Sequence, residues 1–245
     1  MQKNIIFIFF IFFIGCATTQ LEKENLSGTD LLAASQEILA TDTSFDLEKG
    51  EIQYTLPQPA LVRIRIGLDN GGPLIRTLVD WQRREAGPSV EAWDKRDDSG
   101  MVDFSRQTNL MLVLNCLPLD DQGGVLSSTT VRGPNRSPHF SLTLSGVNEF
   151  SENIPVVKGV VPVQIILAEE DKQWLTESRY EISVYVDQIL IGEEEEGLSP
   201  FTYLLNTEGF NDGNHLITVN IAGYSGEVGT QSKMMLVKNE EVVQQ

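Results

Sequence analysis

From about Asp46 onward, apolar residues recur at every second position in short runs, and turn-forming residues cut each run before it reaches helical length. Val62, Ile64 and Ile66 alternate with Arg63 and Arg65, which puts branched apolar groups on one face and guanidinium groups on the other. This predicts a half-buried strand. Similar runs occur at Ile52 to Leu56, Leu74 to Val79, Val90 to Trp93 and Leu110 to Cys116. The breakers between them are Pro57-Gln58-Pro59, Asp69-Asn70-Gly71-Gly72-Pro73 and Asp97-Asp98-Ser99-Gly100. After a Gly-, Asp- and Ser-rich stretch from Asp120 to Ser137, Phe140, Leu142 and Leu144 alternate again. A second set of runs follows: Val160 to Leu167, Tyr180 to Val186, Ile189 to Ile191, Phe201 to Leu205, His215 to Ile221 and Met234 to Val237. Such a chain, with no long amphipathic helix, is predicted to be all-β: two tandem immunoglobulin-like antiparallel sandwiches of roughly 100 residues each.

The start of the chain has different physics. Lys3 is followed by ten apolar residues, Ile5 to Ile14, the layout of a secretory signal and well short of the roughly 20 residues a membrane-spanning helix needs. Phe13-Ile14-Gly15-Cys16 resembles the bacterial lipobox, in which a small residue precedes a cysteine that is acylated before cleavage. The resemblance implies lipidation of Cys16 and anchoring of the mature chain, because each buried methylene contributes about 0.8 kcal/mol. Ala17 and Thr18 follow the cysteine instead of the Asp associated with inner-membrane retention, which points to the outer membrane. With Cys16 acylated, Cys116 has no intrachain partner and is expected as a buried small hydrophobe at a strand end.

These boundaries divide the chain into a signal peptide (1–15), an acidic tether (16–45), a first sandwich (46–146) and a second (147–245), with a linker near Ser145 to Ile154. Within the tether, Leu31 to Leu39 carries a weak helical spacing. Charge is unevenly shared: residues 46–146 hold 13 acids and 11 bases, whereas residues 147–245 hold 17 acids and 5 bases. A formal charge of -17 offers nothing to neutralise phosphates, so nucleic acid is excluded as a partner.

Two sets of residues carry resemblances to known families. Tyr54-Thr55-Leu56-Pro57, Val62-Arg63-Ile64-Arg65-Ile66, Arg76-Thr77-Leu78-Val79 and Trp93-Asp94-Lys95-Arg96-Asp97-Asp98-Ser99-Gly100 together resemble the FlgD-type immunoglobulin-like module. That implies Trp93 in a core, with Asp94 and Asp97 bonded to backbone amides in a turn that Gly100 closes. Tyr185-Val186-Asp187, Ile189-Leu190-Ile191-Gly192, Pro200-Phe201, Asp212-Gly213-Asn214-His215, Thr218-Val219, Gly226 and Gly229 are similar to bacterial Ig-like repeats. In that pattern Gln188 replaces a turn glycine, so the first hairpin turn is expected to differ. Both families are non-enzymatic units of envelope and secreted proteins.

Candidate chemistry is sparse. Two histidines and two cysteines leave little from which to build a relay or a zinc site, so no catalytic residue, cofactor or metal ligand is assigned. A calcium site between Glu169-Glu170-Asp171 and Glu193 to Glu196 ranks behind solvated acidic surface. Trp81, Arg83 and Arg84 form the candidate recognition patch, since aromatic and Arg side chains dominate interface hot spots. The expected function is a lipid-anchored envelope protein serving as a non-enzymatic binding, spacer or scaffold module, held to the membrane through Cys16, with a protein or glycan partner. Its rivals are an accessory subunit of a secretion, pilus or motility complex and, behind that, a carboxylate-based glycoside hydrolase.

Overall fold

The computed structural model describes residues 38–125, 135–224 and 226–239; the signal segment, Cys16 and the tether as far as residue 37 lie outside the described residues. The first sandwich comprises β1 (Thr41–Asp46), β2 (Glu51–Leu56), β3 (Ala60–Leu68), β4 (Leu74–Arg84), β5 (Gly87–Ala92) and β6 (Leu110–Pro118). These form two three-stranded sheets, ordered β1-β2-β5 and β4-β3-β6. Val62, Ile64 and Ile66 of β3 are fully buried and meet Ile52, Tyr54 and Leu56 of β2, as the alternation predicts. Burying such side chains stabilises the fold by about 1.5–3 kcal/mol each. Trp93 fills this core, with its indole N–H donating to Arg96 O at 2.8 Å. Asp97 accepts from the amides of Met101 and Val102 at 3.0 and 2.9 Å, and Gly100 closes the turn at φ +70°. Cys116 is buried near the end of β6.

The second sandwich comprises β7 (Phe140–Leu144), β8 (Phe150–Ser151), β9 (Ile154–Val157), β10 (Val160–Leu167), the helix α1 (Glu169–Ser178), β11 (Tyr180–Val186), β12 (Ile189–Glu194), β13 (Phe201–Asn206), a 3-10 turn at Thr207–Gly209, β14 (Gly213–Gly223) and β15 (Val228–Val237). Its sheets run β13-β10-β7 and β12-β11-β14-β15-β9-β8. Val163, Ile165, Ile182, Val184, Val219, Ile221 and Val237 build its core. No helix among the described residues is long and apolar enough to cross a membrane.

Five features depart from the alternation-based expectation. Phe140, Leu142 and Leu144 pair with β10, Leu142 opposite Ile165, and bury into the second core. The division between the sandwiches therefore falls before residue 140, not at 146, because the free edge of β10 takes up that alternating run. Ser145 to Ile154, expected as linker, carries β8 and the start of β9. Residues 41–45, expected in the tether, lie in β1, whose outermost positions are exposed and polar. Finally, β9 runs parallel to β15, Val156 opposite Leu236, and a ten-residue helix joins β10 to β11 with Glu169, Glu170 and Asp171 in its first turn, where the helix dipole favours acids.

Candidate functional site

The sequence reading left the Arg63 and Arg65 face of β3 in water, but the structure buries it. Arg63 is 6% and Arg65 7% exposed, because the outer face of the β4-β3-β6 sheet docks on the outer face of β14 and β15. The strand is buried on both sides, so its polar face needs partners. Arg65 Nη1 donates to Gly226 O at 3.0 Å. On β14, Asn220 brackets the backbone of Leu74: Leu74 N–H donates to Asn220 Oδ1 at 2.8 Å, and Asn220 Nδ2 donates to Leu74 O at 3.0 Å. Thr230 Oγ1 of β15 donates to the same carbonyl at 2.8 Å. Neighbouring Thr218 and Ser232 share a hydrogen bond between their buried hydroxyls at 3.0 Å. At the far end Leu216 packs on the first core, and the amides of Gln107 and Gln188 bond reciprocally at 3.1 and 3.3 Å.

The register explains how Trp81 joins this seam. Val62 pairs with Gln82 and Ile64 with Val79, so Arg63 alone faces both Asp80 and Trp81: a β-bulge, with Trp81 at φ +48°. The Arg63 guanidinium lies 4.4 Å from the centre of the Trp81 ring, a cation–π contact in a poorly hydrated place. Asp80 accepts from the amide of Ser137 at 2.7 Å and so ties down the connection between the sandwiches. The same connection passes over Gly229, where Pro138 O lies 2.1 Å from the position of a Cβ; only glycine fits. Gly226, another glycine of the second repeat pattern, is the acceptor of Arg65.

The expected recognition patch is thereby divided. Trp81 is half-buried beneath Arg63, and Arg83 is exposed and paired with Glu85 at 2.8 Å. Arg84 turns to Glu91, with Nε–Oε1 at 2.6 Å, and the Tyr54 hydroxyl donates to the same carboxylate at 3.0 Å. Burial first, and then the Glu91 charge, push the Tyr54 phenol well above its ordinary range. The three residues do not present one surface.

The acidic groups behave as structure. His139, Glu170 and Asp171 hold ligand atoms within 4.8 Å of one another. Asp171 is fully buried, however, and accepts from Arg136 Nη2 at 2.7 Å, the amide of His139 at 2.8 Å and Trp174 Nε1 at 2.9 Å. Arg136 Nη1 also lies 2.6 Å from His139 Nδ1, so a guanidinium stands where a cation would sit. Glu170 and Asp171 therefore group with His139 and Arg136, and not with the acids of β12. Glu193 and Glu194 end β12, and the Glu193 carboxyl is raised by burial and then by repulsion from Glu181 and Glu195. Burial pushes Asp98 up to about 6, against the pull of Arg76 at 3.6 Å. An open groove of about 430 Å³ between Ser145–Glu149 and Val156–Pro162 carries Glu149 and Lys158 among its lining residues.

Fold and seam together define an all-β protein of two immunoglobulin-like sandwiches docked face to face. No family model and no curated protein matches the chain. Among solved structures it is similar to the fibronectin(III)-like modules of Clostridium thermocellum CbhA: 14% identity over 80% of this chain and 90% of that one, TM-score 0.33. It is also similar to a putative membrane-anchored protein from Corynebacterium diphtheriae, at 13% identity over 78% and 50%, TM-score 0.28. A third likeness is to the endo-β-1,4-mannanase of Thermotoga petrophila, at 18% identity and TM-score 0.31; it covers 45% of this chain, which spans about a fifth (21%) of that enzyme. At such scores none of these likenesses bears on activity.

Proposed function

We propose that this chain is a lipid-anchored, non-enzymatic protein of the cell envelope, probing outward from the membrane as a rigid spacer that displays binding surfaces. The observation that carries the reading is the seam. Two sandwiches joined by a flexible linker would move independently. Here Asn220 and Thr230 bond the backbone of Leu74, Arg65 bonds that of Gly226 and Asp80 bonds that of Ser137, which fixes the two sandwiches together and suits a part that sets a distance. Ile5 to Ile14 and Gly15 direct export and cleavage, acylated Cys16 supplies the anchor, and the outer membrane is the proposed site. Acylation is tested by mass spectrometry of the N-terminal peptide from membrane fractions. A diacyl mass on Cys16, with release of the chain to the soluble fraction in Cys16→Ser, is the expected result; an unmodified Cys16 would end the anchored reading.

A second reading, an accessory subunit of an envelope secretion, pilus or motility complex, draws on the sheet edges. β5 and β12 each end a sheet, and they expose Val90 on one and Ile189 and Leu190 on the other. An edge strand with exposed apolar groups can accept a further strand from a partner. Cross-linking in intact cells followed by identification of the joined peptides separates the two readings. Links from β5 or β12 to one reproducible partner favour the subunit.

A further inference from the structure

One end of the seam is tied to a histidine. His215 opens the apolar stretch of β14, and its ring lies between two acceptors: Nδ1 is 2.5 Å from Asp187 Oδ2, and Nε2 is 2.8 Å from Asn211 O. A neutral imidazole has one N–H and can satisfy one of these; an imidazolium satisfies both. The other Asp187 oxygen accepts from the amide of Leu216 at 2.9 Å, and Asp187 N–H donates to Leu216 O at 2.9 Å. Asp187 and Gln188 both take positive φ, 49° and 74°, so this two-residue turn has no glycine to relieve it and leans on those contacts. Its next residue, Gln188, bonds Gln107 of the first sandwich, and Leu216 packs on the first core.

We infer that His215 is a proton-dependent latch: its imidazolium holds the Asp187–Gln188 turn and Leu216 against the first sandwich, and loss of that proton loosens this end of the seam. The groups facing the ring are few. The β11–β12 turn contributes the Asp187 carboxylate, the loop before β14 contributes Asn211 O and the Phe210 ring at 5.5 Å, and β15 contributes Met235 opposite His215 in the ladder. Asp212, beside Asn211, accepts from the amide of Asn239. Burial works to lower the His215 value, but the Asp187 and Asn211 bonds outweigh it, so the net shift is upward. A raised histidine adds stability below its ordinary pKa and loses it as pH rises through the folded value.

Amide hydrogen exchange in the full chain tests this, measured at about pH 5.5 and about pH 8.5, on either side of the ordinary imidazole range, and corrected for intrinsic rates. Protection at Asp187 and Leu216, whose amides are bonded at the turn, is expected to fall by roughly threefold or more at the higher pH, while Leu74 and the amides around Asn220 hold. In Asp187→Asn that pH dependence should flatten. Should that variant not fold, His215→Gln, which cannot titrate, gives the same reading. Equal protection at both pH values, an equal loss along the whole seam, or an undiminished pH dependence in either variant would overturn the latch.

Discussion

The first core and the seam are built from opposite faces of the same strand, and they are held by different physics. On one face of β3, Val62, Ile64 and Ile66 pack in a dry interior where contact area is the stabilising quantity. On the other, Arg63 and Arg65 are almost as deeply buried but depend on the Trp81 ring of neighbouring β4 and on an acceptor from the second sandwich, Gly226 O. A period-two pattern thus says which face goes into the nearest core, but not whether the other face meets water. Loss of an apolar side chain leaves a void, whereas loss of a seam residue leaves a backbone group unpaired and uncouples two bodies.

That contrast can be broken or sharpened by measurement. The largest effect is expected for Ile64→Ala, which empties a fully buried site: about 2–5 kcal/mol lost in denaturant unfolding of the first sandwich. Next is Asn220→Ala, which strips Leu74 of both its bonds to Asn220. About 1–3 kcal/mol should go, and one cooperative transition should split into two as the sandwiches unfold separately. An undivided transition in Asn220→Ala would mean that the seam does not couple them.

A third measurement concerns a charge near the seam. Asp98 titrates near 6 when folded, so native protein holds its proton more tightly than unfolded chain. Its contribution is fully present below about pH 4 and is lost as pH climbs to about 6. Asp98→Asn should remove that slope and be about 1–2 kcal/mol more stable at neutral pH, as read by melts across the range. The smallest effect is expected at Glu193→Gln, which relieves repulsion from Glu181 and Glu195 on a mostly exposed strand: a gain of only a few tenths of a kcal/mol, shrinking with added salt.

Much of the sheet structure was legible because buried strands must alternate. Two of the elements that escaped have weak apolar patterns. β1 is Thr-Asp-Thr-Ser-Phe-Asp and mostly exposed, and α1 offers only Trp174 and Leu175 to a core, with Asp171 clasped by Arg136. The core position of Trp93 and the turn of Asp97 and Gly100 were legible, since a tight turn specifies its own chemistry locally. The seam was not legible from Arg63 and Arg65, which on a strand usually mean solvent. A usable signal lay elsewhere: Leu216, Thr218, Asn220, Thr230, Ser232 and Met234 share the outer face of β14 and β15 without one charge, in the half of the chain richest in acids. An outward face that avoids charge in such a region is a face that is covered.

The placement of β15 governs the order in which the molecule can be finished. It is the last strand described, yet it lies inside the six-stranded sheet, with β14 on one side and β9 on the other, and it presents Thr230 to Leu74. A chain made from its N-terminus exposes β8, β9 and the waiting face of the first sandwich well before the strand that joins them emerges. Until then those edges are open to strangers, and the arrival of residues 228–237 closes them.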